Sequence, residues 1–274
     1  MNILSKKDWA FWEENGYVIV PNAVPQENID AVIDTSWDFL EMDRDNPDDW
    51  YREPHRTNGM VEMYQTQALW DNRQHPRVHQ IFSEIWGTEK LWVSLDRVCF
   101  KLPSRPDKPD YDHKGFIHWD IDVKEKPERF WVQGVVYLSD TSEEQGGFQC
   151  IPGFHKEFYE WVKRQPADWD HRKPDLSGYE IQSIPGKTGD LLIWHSRLLH
   201  GNGHNRSNQI RQAQYITMNP PRDEPGAAEK RVRLWRERLP GLKPGDPREW
   251  ERANCEPAVL TDLGKKLLGS ETWD

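Results

Sequence analysis

Apolar residues recur at helical spacing in the first third of the chain and mostly at strand spacing in the middle. Ser5 and Asp8 form the capping pattern of a first helix. Residues 25–42 and 76–86 repeat the helical period, so we predict two further helices there. Residues 43–60 are rich in Asp, Pro and Asn, which predicts a surface loop between these helices.

Short runs of strand-like spacing follow, separated by turn residues. Residues 103–115 hold three prolines and several charges, which predicts an exposed loop, and the tail, residues 222–274, returns to helical spacing. Helices followed by a run of short strands predict an α+β fold, a β-sandwich or barrel with helices on one face. The predicted strands are residues 17–20, 91–102, 116–123, 130–138, 148–151, 178–184, 191–194 and 211–218.

The composition excludes several classes of function. The 274 residues contain 46 acidic and 36 Lys or Arg side chains, a formal net charge of −10, which argues against nucleic acid as the main partner. No apolar run is long enough to span a membrane, and the N-terminus has no apolar signal segment. The three cysteines, Cys99, Cys150 and Cys255, are far apart and odd in number, so we expect a cytoplasmic protein without a disulfide framework.

One group of residues suggests a metal site. His118 and Asp120 are two residues apart in a predicted strand, so their side chains should share a face. His200 lies at the end of the predicted buried strand that begins after Gly189-Asp190, and two histidines with one carboxylate are the ligands of non-haem Fe(II) oxygenases. From these residues alone, a surface His–Asp pair and a zinc hydrolase remain alternatives, although no H-E-x-x-H motif supplies a general base.

Several segments, in order, match one known family. The chain resembles the phytanoyl-CoA dioxygenase family of Fe(II)- and 2-oxoglutarate-dependent oxygenases over nearly its whole length. One departure is Phe154, which stands where the Pro-Gly-Ser-His-like segment usually has Ser. The matching segments are residues 11–21, 118–120, 145–156, 189–201 and 260–269, together with Asn205 and Arg211.

The resemblance implies a fold. The implied core is a double-stranded β-helix, also called a jelly roll, buttressed by helices. The chain would then be a single domain, with a helical part over about residues 1–90, the jelly-roll core over about residues 91–220 and a helical extension over about residues 221–274.

The resemblance also implies the ligands and the reaction. His118, Asp120 and His200 would bind Fe(II), with 2-oxoglutarate and O2 as cosubstrates. Decarboxylation of 2-oxoglutarate to succinate and CO2 would accompany oxidation of a substrate C–H bond. In halogenating relatives a small residue replaces the carboxylate, so Asp120 implies hydroxylation or a related oxidation.

The cosubstrate has several candidate partners. Arg211, eleven residues after His200, would pair with the distal carboxylate of 2-oxoglutarate by the resemblance, and its guanidinium suits bidentate binding. Asn202 stands where the family often has a hydroxyl. Lys101 or Arg97, which share a predicted strand face, would supply the family's basic residue, unless they are exposed strand charges. Gln133 is a further candidate for contact with cosubstrate or substrate.

Two other functions are compatible with the same core. One is a cupin-like dioxygenase that does not use 2-oxoglutarate, and the other is a non-catalytic metal-binding jelly-roll module. We expect a small-molecule substrate and no membrane partner. The family's substrates include CoA esters, amino-acid derivatives and polyketide or terpenoid metabolites, and the chain has no pantetheine or adenine signature. The sequence carries no indication of oligomeric state.

Overall fold

A computed structural model describes residues 2–120, 130–166, 168–170 and 172–273. None of the helices in these ranges is long and apolar enough to cross a bilayer. The helices are α1 (Lys6–Asn15), α2 (Gln26–Leu40), α3 (Gln67–Arg73), α4 (Pro76–Trp86), α5 (Phe154–Lys163), α6 (Ala227–Arg236), α7 (Trp250–Asn254) and α8 (Asp262–Leu268). The strands are β1 (Tyr17–Val20), β2 (Met60–Val61), β3 (Trp92–Val93), β4 (Val98–Lys101), β5 (Val132–Tyr137), β6 (Phe148–Cys150), β7 (Gln182–Ser183), β8 (Leu191–His195), β9 (His200–Asn202), β10 (Arg211–Tyr215) and β11 (Met218–Asn219).

The strands form antiparallel sheets, and the predicted combination of helices with a run of short strands is confirmed. The largest sheet has the order β1-β8-β5-β10-β4-β2, a smaller one the order β7-β6-β9, and β11 pairs with β3. Side chains of β8 alternate between two cores: Leu191 and Ile193 join the core formed with the helices, and Leu192 and Trp194 join the other. Burial on both faces explains the continuous apolar run of this strand.

The second core lies between the large sheet and the three-stranded sheet. It contains Val135 and Ala213 from the large sheet, and Phe148 and Cys150 from β6. Helix α5 adds an aromatic layer to this core. The arrangement places the ends of β4, β5, β9 and β10 around one space, which is the position of the candidate site.

Helix boundaries follow the capping signals closely. The Ser5 hydroxyl accepts the Asp8 N–H at 3.2 Å, and the Asp8 carboxylate accepts the Ser5 N–H at 2.8 Å. Helix α4 begins at Pro76 and ends before Gly87, which has a φ of 66°. Three helices occupy parts of the tail, where the sequence predicted helical structure.

Four strand predictions are wrong in part: β7 covers only two residues of the predicted 178–184, and the predicted 211–218 is divided between β10 and β11. The segment predicted as a strand over residues 116–123 is irregular up to residue 120, with an isolated bridge at His118, and residues 121–123 lie outside the described residues. The predicted strand over residues 91–102 is two strands, β3 and β4, which pair with different partners. Helices α3 and α5 were not predicted, because each is short and follows directly on a loop or strand signal.

Candidate metal centre

His118, Asp120 and His200 converge in space. Each offers one possible ligand atom, and these atoms lie within 4.8 Å of one another. Nε2 of His118 is 3.2 Å from Oδ1 of Asp120, and Nε2 of His200 is 3.1 Å from Oδ2. The His200 side chain is buried, whereas Asp120 is open to the adjoining cavity. Two imidazoles and a carboxylate are therefore placed to bind one ion from one side.

Backbone pairing holds the two histidines together. The His118 N–H donates to the His200 carbonyl at 2.8 Å, and the His200 N–H donates to the His118 carbonyl at 3.2 Å. Glycines make this close approach possible: a Cβ at Gly201 would lie 1.8 Å from the Phe116 carbonyl oxygen, and one at Gly115 would lie 1.8 Å from that of Asn202. His200 is thus the first residue of its own strand, β9, and not the end of β8 as predicted.

The hydrogen bonds of the imidazoles prepare their Nε2 atoms for an ion. Nδ1 of His200 donates to the Leu198 carbonyl oxygen at 2.9 Å, which fixes the ring orientation and turns Nε2 towards Asp120. The buried Nδ1 of His118 has no hydrogen-bond partner among the described residues. The ring of His118 packs against Phe116, with 4.4 Å between ring centroids.

Asp120 is held from several sides. The Gln133 side-chain amide donates to Oδ2 at 2.7 Å, in addition to the two imidazole contacts. Burial raises the pKa of the Asp120 carboxyl, but the contacts with His118 and His200 outweigh it and hold that pKa below its ordinary value. The carboxyl group is therefore ionised, as a metal ligand must be.

Two cations lie at the inner end of the site. Arg211 is completely buried, and within the described residues its guanidinium has no carboxylate partner and lies beside the Tyr215 hydroxyl. Lys101 lies directly opposite on the neighbouring strand, and its ammonium group donates to the Gly203 carbonyl and lies 3.4 Å from Nδ1 of His113. Burial, with a smaller contribution from the charge of Arg211, lowers the pKa of Lys101 to about 8.

Two other residues predicted to contact the cosubstrate, Asn202 and Arg97, have hydrogen-bond partners within the protein. The Asn202 amide donates to the Tyr215 hydroxyl at 3.0 Å, near Arg211. Arg97 is engaged elsewhere, because its Nη1 donates to the Tyr64 hydroxyl at 2.6 Å and to the Glu62 carboxylate at 3.2 Å.

One cavity of about 310 Å³ connects all of these groups. Its wall includes the eight predicted site residues, and it also includes Asp96, His113, Phe116, Tyr215 and Leu242, which the sequence analysis did not select. Of these, Tyr215 had a usable signal, since it lies four residues after Arg211 on one strand and so shares its face. The others come from loops, whose contacts a strand pattern does not reveal.

Comparison with known proteins identifies relatives of this chain. A family model described as Phytanoyl-CoA dioxygenase (PhyH) matches residues 12–213. Ava biosynthesis cluster protein O of Aspergillus versicolor is 27% identical over 254 residues, covering 79% of this chain and 80% of the relative. Ectoine dioxygenase of Bordetella bronchiseptica is 26% identical over 171 residues, covering 54% of each chain.

Solved structures share the fold. The epimerase SnoN, crystallised in complex with Fe3+, alpha ketoglutarate and nogalamycin RO, has a TM-score of 0.56 and 18% sequence identity, covering 93% of this chain and 95% of SnoN. The carbocyclase SnoK, described as non-heme and alpha ketoglutarate dependent, has a TM-score of 0.54 and 19% identity, covering 89% of this chain and 93% of SnoK.

Proposed function

The chain belongs to the phytanoyl-CoA dioxygenase family of Fe(II)- and 2-oxoglutarate-dependent oxygenases, and we propose that it oxidises a C–H bond of a small molecule. In this proposal His118, Asp120 and His200 hold the ferrous ion. Two neutral imidazoles and one carboxylate leave the ion with a net positive charge and three open positions. When bound, the ion with O2 supplies the oxidising chemistry, and 2-oxoglutarate is converted to succinate and CO2.

The observation that carries the proposal is the buried guanidinium of Arg211, which has no carboxylate partner among the residues that the structure describes. A buried charge without a counter-charge is costly, so such a group indicates that an anion binds there. Arg211 lines the same cavity as His118, Asp120 and His200, which supports an anion site beside a metal site. A 2-oxo acid with a second carboxylate fits both sites, because one end can chelate the ion and the other can pair with Arg211.

Neighbouring residues assist this binding. Lys101, opposite Arg211, adds a second positive charge to the carboxylate end of the cavity. Asn202 and Tyr215 form a hydrogen-bonded pair beside Arg211, so either can donate to a carboxylate oxygen. Gln133 orients Asp120 through its hydrogen bond and acts on the ligand set instead of contacting the cosubstrate.

The alternatives are less well supported. A cupin-like dioxygenase without 2-oxoglutarate has no use for the buried cation at position 211. A non-catalytic module has no need of three complete ligand groups with an oriented His200 imidazole. Names of relatives favour small molecules: ectoine dioxygenase is named for ectoine, and SnoN was crystallised with nogalamycin RO. The net charge of −10 disfavours nucleic acid.

The same proposal extends to the architecture. We propose that the large sheet and the three-stranded sheet are the two halves of a double-stranded β-helix, with the second core between them. In this arrangement the chain is one domain, with a helical part over about residues 1–90, the core over about 91–220 and an extension over about 221–274.

Spectroscopy under anaerobic conditions tests the function. Addition of Fe(II) and then 2-oxoglutarate to the apoprotein should produce the weak visible charge-transfer band of the chelate. His200→Ala should abolish both the band and iron-dependent succinate formation. His75→Ala, which alters a partly buried histidine at the start of α4, should change neither. Bound iron without a band on addition of 2-oxoglutarate would favour the cupin-like chemistry.

A further inference from the structure

A second cavity, of about 460 Å³, adjoins the metal-centre cavity. The two cavities share Asp96 and Leu242 as wall residues. The smaller cavity has to contain the ion, the cosubstrate and the reacting carbon, so the rest of a larger substrate needs further space. The second cavity provides that space on the far side of Asp96.

The backbone around Asp96 is fixed by buried groups. The guanidinium of Arg73, which is fully buried, donates to the Asp96 carbonyl and, at 2.6 Å, to the Tyr64 carbonyl. Oδ1 of Asp96 accepts the Arg97 backbone N–H at 2.8 Å. The position of the carboxylate is therefore set before any substrate binds.

The second oxygen of this carboxylate is available. Within the part of the chain that the structure describes, Oδ2 of Asp96 has no hydrogen-bond partner, and the side chain is 31% exposed at the junction of the cavities. The nearest cation, Arg97, is 4.0 Å from Oδ1 and directs its Nη1 towards Glu62 and Tyr64. Burial raises the pKa of the Asp96 carboxyl above its ordinary value, although the Arg97 N–H and the charges of Arg97 and Arg73 oppose the rise. A hydrogen-bond donor at Oδ2 would relieve the cost of this burial.

The remaining wall of the second cavity suits an apolar or aromatic body. Trp92, Trp131 and Leu234 line it, and the Arg222 guanidinium lies 4.7 Å from the Trp131 ring centroid. The C-terminal extension closes the cavity on one side, because Gly241 packs so tightly on Leu95 that a Cβ would lie 1.7 Å from the Leu95 carbonyl oxygen.

We propose that Asp96 is a substrate-binding residue that accepts a hydrogen bond from an ammonium or hydroxyl group of the prime substrate. The substrate class is an amphipathic molecule whose oxidised carbon lies at the metal centre, whose donor group binds Asp96 and whose ring or alkyl body fills the second cavity. This inference rests on the proposed function, since it assumes that the metal-centre cavity is where the substrate reacts.

Binding of three matched probes tests the proposal. Phenethylamine, phenethyl alcohol and ethylbenzene differ only at the end of a two-carbon arm, which carries an ammonium group, a hydroxyl group or no donor. Calorimetry with the anaerobic Fe(II)- and 2-oxoglutarate-loaded protein should show that the two donors bind roughly ten- to a hundredfold more tightly than ethylbenzene. The Asp96→Ala variant should bind all three probes with similar affinity.

Two further variants distinguish binding of the ammonium group from binding of the hydroxyl group and supply a control. Asp96→Asn keeps an acceptor oxygen and removes the charge, so it should retain the preference for the alcohol and lose that for the amine. Glu224→Gln, which alters the other acidic residue of the second cavity, should leave the preferences as in the wild type. Equal affinities for all three probes in the wild type, or no binding of any of them, would overturn the proposal.

The chelate band distinguishes this proposal from the proposed function. Asp96→Ala should retain the band and the wild-type affinity for 2-oxoglutarate, because Asp96 contacts the substrate alone. Loss of cosubstrate binding in this variant would show that Asp96 acts at the cosubstrate and would overturn its assignment. If the wild type gives no band, the proposed function fails, but the order of probe affinities still decides whether Asp96 is a donor-binding residue.

Discussion

Lys101 lies directly opposite Arg211 on the paired strands β4 and β10, and both buried cations lack a carboxylate partner among the described residues. Two adjacent positive charges in a buried position repel each other. An anion between them would compensate both charges, so the pair marks one end of the cavity for a carboxylate.

Arg211→Ala should weaken the binding of 2-oxoglutarate and leave the binding of iron nearly unchanged. Loss of one buried charge pair costs about 2–5 kcal/mol, which corresponds to roughly a 30-fold to several-thousand-fold increase in Kd. Anaerobic titration of the chelate band measures this Kd. Arg105→Ala, which removes a partly exposed arginine paired with Asp48 and Asp107, is the control. An unchanged Kd in Arg211→Ala would refute the assigned role.

Binding of 2-oxoglutarate should also depend on pH through Lys101. Burial lowers the pKa of Lys101 to about 8, so in the free protein the ammonium form is present below that pH and is lost above it. Because the charged form attracts the carboxylate, the affinity should fall as the pH rises through about 8. Lys101→Arg should remove this pH dependence, because the arginine stays charged. The Lys101→Met variant should bind 2-oxoglutarate weakly at every pH. If the Lys101→Met variant showed the same pH dependence, the titrating group would be a residue other than Lys101.

Gln133→Leu should weaken iron binding without disturbing the fold. The variant removes the 2.7 Å hydrogen bond that holds Oδ2 of Asp120, and loss of such a supporting contact typically costs about 10- to 100-fold in metal affinity. Competition with a chelator of known affinity measures the effect. Gln212→Leu, a change to a half-buried glutamine on β10, is the matched control. Equal iron affinities in the two variants would contradict this role for Gln133.

The sequence predicted those features that local patterns determine. Helix α4 was placed correctly because Pro76 begins it and Gly87 ends it, and both signals act within one turn. Similarly, β8 was recognisable because burial on both faces requires an uninterrupted apolar run. Such signals do not depend on which distant segment the element contacts.

Features that depend on distant contacts were missed or misplaced. Residues 116–120 carry strand-like alternation, but their partner, β9, offers only a short pairing at His200, so a single bridge forms in place of a strand. Arg97 and Lys101 look equivalent in the sequence and both line the cavity, yet Glu62 and Tyr64 bind Arg97, whereas Lys101 lies opposite Arg211. Only the tertiary structure decides between two such cations.

Gly201→Ala should destroy the metal centre by forcing two backbone segments apart. The new Cβ would lie 1.8 Å from the Phe116 carbonyl oxygen, so β9 and the segment before His118 would have to separate. Overpacking of this kind costs about 1–3 kcal/mol, and the separation should also abolish iron binding. Gly203→Ala is the control, because its Cβ comes no closer than 3.2 Å, to the Gln149 side chain. Thermal unfolding and iron titration measure both effects, and normal iron affinity in Gly201→Ala would show that the close approach is not required.

Trp119 lies between the two ligands in the sequence but packs on the opposite side, where it anchors the segment that carries them. Its ring centroid is 5.9 Å from that of Phe154 and 5.6 Å from that of Trp161, and its indole N–H donates to the Arg197 carbonyl at 3.0 Å. Trp119→Ala should therefore lower the free energy of unfolding by about 3–5 kcal/mol, as removal of a large buried aromatic side chain does.

Measurement of iron affinity distinguishes a role of Trp119 in positioning the ligands from a general effect on stability. Trp119→Phe keeps part of the packing, so it should lose less stability than Trp119→Ala and retain iron affinity. Tyr159→Ala removes a half-exposed aromatic residue of α5 and serves as the control for both measurements. If Trp119→Ala, still folded at low temperature, bound iron as tightly as the wild type, the ligands would be held by the His118–His200 backbone pairing alone and not by the aromatic layer beneath them.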